Sequence, residues 1–189
     1  KEYTGKIQIL NSLIADYPES QYLDDALYEQ GRAFVQMEDH TNAINRFNIL
    51  LKKFPESNMA RRAANEIGLL YYQGDKYPEA IQAYKQVITN YPGSEEARLA
   101  QRDLKSIYID LNKVDEYANF ASTIPGGANF DVNERDSLTY VAAERVYMRG
   151  EIDEARNSFT HYLQTFPEGA FSLNANYYVG LIDYNRKAY

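Results

Sequence analysis

An aromatic residue followed by proline recurs along this chain at a nearly constant interval. The prolines are separated by 37, 37 and 75 residues, the last interval being two periods plus one residue. The pairs are Tyr17-Pro18, Phe54-Pro55, Tyr91-Pro92 and Phe166-Pro167. Such a period indicates tandem copies of one supersecondary unit, each of which buries its apolar face only against its neighbours. The spacing therefore predicts a repeat array.

Small residues occupy fixed positions relative to these prolines. Ala stands twelve residues before three of the prolines, and Gly or Ala stands twelve residues earlier still. Small residues at fixed offsets on helices indicate that two backbones approach closely, and we expect Gly68 to lie opposite Ala80. Apolar residues between the markers recur with the i, i+3, i+4, i+7 spacing of one helix face. The two columns are Ala43, Ala80 and Ala155, and Gly31, Gly68, Ala143 and Gly180.

Helix start and stop signals fit pairs of antiparallel helices, here called A and B. Ser20, Ser57 and Ser94 each follow a proline by two residues and are typical N-caps, and the proline ends the preceding helix. The predicted fold is all-α, with half-repeats at both ends and units of roughly 1–18, 19–55, 56–92, 93–130, 131–167 and 168–189. About ten helices are predicted, at 2–16, 20–37, 40–53, 57–73, 76–90, 94–111, 113–123, 133–149, 151–165 and 170–187.

The small residues and prolines resemble the three signature positions of the tetratricopeptide repeat (TPR) family. The resemblance covers essentially the whole chain and implies one array of helical hairpins that forms a right-handed superhelix. It also implies a scaffold that binds other proteins, as a peptide or a partner helix, and that is not an enzyme. The matching residues are Gly31, Gly68 and Gly180, then Ala43, Ala80 and Ala155, then Pro55, Pro92 and Pro167.

A narrower resemblance lies in the short sequence around each proline. Tyr17-Pro18-Glu19-Ser20 and its later copies look like bacterial cell-envelope repeat proteins of the YbgF type, from the Tol-Pal system, and of the BamD lipoprotein type. This similarity implies a periplasmic or outer-membrane-associated protein. Cytoplasmic TPR adaptors with the same period are the alternative, and a glycan-binding surface lipoprotein is another, although the chain has no Trp.

The third unit departs from the pattern. Lys105 stands in the Gly column, and Tyr117 stands in the Ala column, which Ala118 restores after a shift of one residue. Pro125 predicts a shortened B helix followed by a loop. The loop at 124–131 is interpreted either as a binding loop or hinge, or as a drifted repeat, since repeat arrays tolerate insertions.

Charge and composition argue against several other functions. The net charge of −7 suits neither nucleic acid nor an anionic membrane surface. No apolar run approaches the ~20 residues that span a bilayer, so we expect no membrane insertion by this chain. No catalytic, metal-binding or cofactor motif is present, and His40 and His161 are interpreted as surface residues. Because the chain begins without Met and ends inside a repeat, we expect it to be part of a longer protein.

In TPR proteins the A helices line a concave groove, and the resemblance implies which positions face it. Many of these positions carry Tyr, which offers apolar area and a hydroxyl at low entropic cost. The seven-residue spacing within two Tyr pairs on successive A helices predicts a four-tyrosine patch; alternatively, these tyrosines only pack between A helices. The predicted partner-binding residues are Tyr28, Arg32, Asn65, Tyr72, Arg102, Tyr140, Tyr147, Tyr177 and Tyr184.

Overall fold

The computed structural model describes residues 2–125 and 131–187 of the chain. In these ranges every regular element is an α-helix, and A and B helices alternate, so the all-α prediction is confirmed. Each helix begins and ends within about three residues of its predicted bounds. The helices are α1 (Glu2–Asp16), α2 (Leu23–Gln36), α3 (His40–Lys53), α4 (Asn58–Gln73), α5 (Tyr77–Asn90), α6 (Glu95–Asp110), α7 (Val114–Ala121), α8 (Val132–Met148), α9 (Ile152–Thr165) and α10 (Ser172–Lys187).

The chain divides into two compact units, Lys1–Leu104 and Lys105–Tyr189, with the boundary inside α6. Unit 1 comprises α1 to α5 and α6 up to Leu104. Unit 2 comprises the remainder of α6 and α7 to α10.

Two of the three predicted serine caps are present. Ser57 Oγ accepts a hydrogen bond from the Met59 N–H at 3.0 Å, and Ser94 Oγ accepts one from the Ala97 N–H at 3.0 Å, so these residues cap α4 and α6. The prediction for Ser20 is wrong, because α2 begins only at Leu23 and Ser20 Oγ bonds the N–H of Tyr22 at 3.2 Å instead.

Every turn from an A helix to its B helix has the same backbone geometry. One residue of each turn has a positive φ: Glu38 (59°), Asp75 (57°), Asn112 (57°) and Gly150 (81°). The N–H of the next residue bonds a carbonyl five positions back, as from Asp39 to Phe34 at 3.0 Å, and the left-handed residue itself donates to a carbonyl three positions back. These paired bonds are the Schellman ending of a helix, and they satisfy two carbonyls at its last turn.

In unit 1 the two helices of a hairpin meet where an aromatic ring covers a glycine. A Cβ atom added to Gly31 would lie 2.2 Å from Phe47 Cε1, and one added to Gly68 would lie 2.6 Å from Tyr84 Cε1. Both rings are fully buried. The expected close approach is confirmed, but Gly68 lies against the Tyr84 ring, one helical turn beyond Ala80.

Unit 2 keeps this arrangement in the α8/α9 hairpin and modifies it around α7. Tyr117 is buried and its ring centroid lies 6.1 Å from that of Tyr108, so Tyr117 fills the position that Ala118 was expected to restore. Lys105, in the Gly column, pairs with Glu134 at 2.9 Å. Helix α7 is short, as Pro125 predicts, while most of the predicted loop, residues 126–130, lies outside the described residues.

Candidate partner-binding surface

The predicted groove residues of unit 1 fall into a buried base and an exposed polar layer. Tyr28 is only 3% exposed and its ring lies 5.8 Å from that of Phe47, so it belongs to the core. Arg62, on the next A helix, places its Cζ atom 5.1 Å from the centre of the Tyr28 ring. This is the distance of a cation–π contact. Tyr28 therefore supports a cationic group at the surface instead of meeting solvent itself.

Arg32 joins Arg62 at the same tyrosine. A hydrogen bond to the Tyr28 side chain is the main cause of the raised pKa of Arg32, with the carboxylates of Glu66 and Glu29 contributing less. Within the described parts of the chain, neither Arg32 nor Arg62 comes within 4.0 Å of a carboxylate oxygen. Both guanidinium groups are exposed and keep donors available for an additional partner.

The other predicted residues of unit 1 differ in the contacts that they make within the fold. Arg102 is exposed, but it pairs with its neighbour Asp103 at 2.9 Å. Tyr72 is half-buried, with its ring 6.0 Å from that of Tyr77. The Oδ1 atom of Asn65 is buried, and no donor among the described residues reaches it. A buried amide oxygen without a donor costs about 1–3 kcal/mol.

In unit 2 the structure separates the four predicted tyrosines. Tyr140 is 5% exposed and stacks on Phe171, with centroids 4.6 Å apart and planes 11° apart. Burial raises the pKa of Tyr140 to about 12, and its hydroxyl donates to Glu144 at 3.2 Å. Tyr147 is half-buried, 4.9 Å from the ring of Tyr178. The expected patch of four surface tyrosines is therefore not formed, because Tyr140 is part of the core.

The remaining pair stays at the surface. Tyr177 is 65% exposed and Tyr184 is 73% exposed, and both lie on α10 with Leu173, which is 81% exposed. Gly180 lies between the two tyrosines in sequence, and a Cβ atom added there would meet no atom within 4 Å. A partner role for these residues stays a prediction.

A buried carboxylate in unit 2 does not stand out in the sequence. Asp136 is 8% exposed and accepts hydrogen bonds from the Tyr162 hydroxyl and, at 2.8 Å, from the Ala170 N–H. The Tyr162 oxygen in turn accepts from the Phe171 N–H at 2.9 Å. The network fixes the turn that leads into α10, so its role is structural. The only sign of this network in the sequence is Asp136 itself. It lies four residues before Tyr140, on a helix face whose other residues are small or apolar.

His161 lies at a charged cluster on the surface of unit 2. Its Nε2 atom is 3.2 Å from Asp115 Oδ2, and the Arg135 guanidinium bonds Asp115 Oδ1 at 2.7 and 3.1 Å. Burial raises the pKa of Asp115, but the hydrogen bonds and charge of Arg135 outweigh it and hold the pKa below its usual range. The cluster therefore consists of one carboxylate that is already shared by two basic side chains.

Residues 2–125 and 131–187 provide neither a metal site nor a membrane-spanning helix. Within these ranges no three His, Cys, Asp or Glu side chains are grouped so that they could hold a metal ion. The same part of the chain contains no helix with both the length and the apolar character needed to cross a membrane.

Comparison with known proteins identifies the repeat. Residues 28–95 match the sequence model of the tetratricopeptide repeat. No curated protein sequence matches the chain. The matched stretch runs from α2 to the first residue of α6 and includes two complete copies of the Gly and Ala columns.

Comparison with solved structures gives matches at low sequence identity, and the first of them has the same fold. A tetratricopeptide repeat protein from Parabacteroides merdae ATCC 43184 has a TM-score of 0.55 and 13% identity over 95% of this chain and 66% of that protein, so this chain spans about two thirds of its length. A putative kinesin light chain from Podosopora anserina, with nearly identical TPR-like repeats, has a TM-score of 0.48 and 14% identity over 86% of both chains. Pseudomonas aeruginosa pilF has a TM-score of 0.46 and 17% identity over 98% of this chain and 86% of that one.

The likeness to the Parabacteroides merdae protein concerns the fold alone, and the narrower resemblance to YbgF-type and BamD-type proteins is not supported. Proteins built from tetratricopeptide repeats are typically non-catalytic scaffolds for protein–protein interaction. Residues 28–95 therefore match the tetratricopeptide repeat, and the helices of the described residues share the fold of a solved tetratricopeptide repeat protein.

Proposed function

We propose that the chain is a non-catalytic scaffold that binds a peptide or a helix of another protein on the A-helix surface of unit 1. The tetratricopeptide match over residues 28–95 supports the general role, and the arginine pair at Tyr28 supports the location. Binding at such a surface needs polar groups that the fold itself does not consume.

The observation that carries the proposal is the meeting of Arg32 and Arg62 at Tyr28. Arg62 lies over the ring, and the Tyr28 side chain is the main cause of the raised pKa of Arg32, so one buried tyrosine lies next to two cations of adjacent A helices. Guanidinium groups bind carboxylates and backbone carbonyls through several parallel N–H donors. The expected ligand is therefore a peptide segment that presents a carboxylate here.

Peptide selection tests the proposal and does not require an identified partner. A random peptide library displayed on phage is selected against the chain, and the affinities of the recovered peptides are measured by calorimetry. With both Arg32→Ala and Arg62→Ala, affinity should fall at least tenfold, or about 1.4 kcal/mol. The matched control, Lys52→Ala with Lys53→Ala on the B helix α3, removes the same charge and should leave the affinity unchanged. Unchanged binding to the arginine variant would refute the site.

A location in the bacterial periplasm or at the outer membrane remains a prediction. It is supported only by the Tyr17-Pro18-Glu19-Ser20 phrase and its copies. Cell fractionation of the source organism, followed by detection of the protein with an antibody, tests it. Recovery in the cytoplasmic fraction would contradict this location.

A further inference from the structure

A cleft opens between the B helices α3 and α5 of unit 1, with α4 at its base. Its volume is about 530 Å³, which lies in the range of small-molecule sites. Ala64 and Ile67 of α4, both buried, form its floor. All of its lining residues lie between positions 48 and 91, so the cleft is complete within unit 1 and lies away from both ends of the chain.

The cleft is open because Ala64 is small. Each of the other A helices has a larger residue at this position of the repeat. In α2 the residue is Leu27, which is 3% exposed and belongs to the core cluster of unit 1. A methyl group in place of this isobutyl group leaves space that the surrounding close-packed helices do not fill. The four larger residues are Leu27, Gln101, Thr139 and Asn176.

The lining combines this apolar floor with a polar rim. Three exposed carboxamides stand at the rim, Asn48 on α3 and Gln86 and Asn90 on α5. Within residues 2–125 and 131–187, none of the three side chains is hydrogen-bonded to another residue. A carboxamide donates through its NH₂ group and accepts through its oxygen, so it can pair with the amide group of a ligand.

Lys52 gives the cleft a positive charge. Among the described residues that line the cleft, only Lys52 is charged, and α3 contains no Asp or Glu. No carboxylate oxygen in the described part of the chain lies within 4.0 Å of its ammonium group. Burial raises the pKa of Tyr91, to which Glu56 adds and which Arg61 opposes, so these two charges outside the cleft offset each other. The cleft therefore favours an anion although the net charge of the chain is −7.

We propose that this cleft binds a small organic acid that carries an apolar group and an amide, as an N-acylated amino acid does. The apolar group occupies the space that Ala64 leaves open. The amide bonds the carboxamides of Asn48 and Gln86, and the carboxylate pairs with the ammonium group of Lys52.

A compact ligand fits the cleft better than a chain that passes through it. Tyr91 and Pro55 both line the cleft, and the Tyr91 hydroxyl donates a hydrogen bond to the Pro55 carbonyl at 3.3 Å. This bond joins two walls at one end, and a chain passing through would have to displace it. The site goes beyond the proposed scaffold role and involves neither Arg32 nor Arg62.

N-Acetyl-phenylalanine and its neutral amide are a matched pair of probes. Each is titrated into the isotope-labelled chain, and NMR chemical shifts report which backbone amides respond. The acid should shift the signals of Ala64, Ile67 and Ala83 saturably, and the neutral amide should bind about threefold more weakly. A longer probe, acetyl-Ala-Ala-phenylalanine, should bind no more tightly than the acid. Tighter binding would assign the cleft to the C-terminus of a polypeptide and overturn the assignment to a free small acid.

Variants of the chain locate the ligand. Ala64→Leu introduces the side chain that α2 has at this position, so it fills the floor and should weaken binding about tenfold or more, while circular dichroism shows that the helices persist. In Lys52→Gln the preference for the acid over its amide should disappear. The matched variant Lys53→Gln loses the same charge outside the cleft and should keep the preference. Absence of saturable shifts, unchanged binding to Ala64→Leu, or a preference that persists in Lys52→Gln would overturn the proposal.

The variants designed for the peptide surface separate the two sites. The Arg32→Ala, Arg62→Ala variant should bind N-acetyl-phenylalanine normally. The Lys52→Ala, Lys53→Ala variant should lose the preference for the acid while it keeps the selected peptides. Either test can therefore fail without the other, and loss of the acid in the arginine variant would contradict the cleft as its site.

Discussion

Replacing Gly31 by Ala tests whether the ring-over-glycine contact sets the distance between A and B helices. Carbon atoms in contact normally lie about 3.5–4.0 Å apart, but the new Cβ atom would lie 2.2 Å from Phe47 Cε1. The ring must therefore move by about 1.3 Å or more inside a fully packed core. Such overpacking costs about 1–3 kcal/mol, while Ala gains about 1 kcal/mol over Gly in a helix. The net expectation is that Gly31→Ala lowers the free energy of unfolding by up to about 2 kcal/mol.

Urea unfolding followed by circular dichroism measures this change, and two further variants isolate its cause. Gly180→Ala, where the Cβ atom meets nothing, should instead raise the free energy of unfolding by up to about 1 kcal/mol. In a Phe47→Leu background, which removes the ring, Gly31→Ala should cost clearly less than in the wild type. The reasoning is refuted if Gly31→Ala stabilises the chain as much as Gly180→Ala does, or if its effect is the same with and without the ring.

Three more sets of variants address the buried network and the caps. Asp136→Ala strands the Tyr162 hydroxyl and the Ala170 N–H, so urea unfolding should show a loss of about 2–4 kcal/mol, with a smaller loss for Asp136→Asn; a change below about 1 kcal/mol would contradict the network. Burial, aided by the bond to Asp136, raises the pKa of Tyr162 from 10.0 to about 12; its contribution is therefore complete below pH 10 and is lost as the pH rises toward 12. Tyr162→Phe should reduce this alkaline loss, and an unchanged pH profile would count against it. Ser57→Ala should cost about 1 kcal/mol in thermal melts and Ser20→Ala much less; equal effects would show that the cap assignment is wrong.

The helices could be predicted from the sequence because their determinants recur. Proline cannot continue a helix, and a side chain at Gly31 or at Gly68 would collide with a ring, so the same residues recur in the first two complete copies. Periodicity makes such restrictions visible. It does not show which atoms meet, and for this reason it pairs Gly68 with Ala80 and misses the ring of Tyr84.

The candidate site is harder to predict, because the exposure of a helix depends on the segment that packs over it. Tyr28, Tyr140 and Tyr177 share one position of the repeat, yet they are 3%, 5% and 65% exposed. The first two are covered by aromatic side chains from later segments, and Tyr177 is not. The spacing of residues within one helix does not show whether a later segment packs over it. The sequence does not predict the arginine pair either, because the two residues meet only through their contacts with the Tyr28 side chain.

The left-handed residues of the four hairpin turns give protein engineers a route to a more stable chain. A side chain in this conformation costs about 1–2 kcal/mol, whereas glycine adopts it freely, as Gly150 does. Glu38 and Asp75 are both exposed and lie outside the helices, so neither contributes a side chain to a buried contact. Glycine at these two turns would relieve backbone strain without altering Arg32, Arg62 or α10. Thermostability and partner recognition can therefore be optimised in separate rounds of mutagenesis.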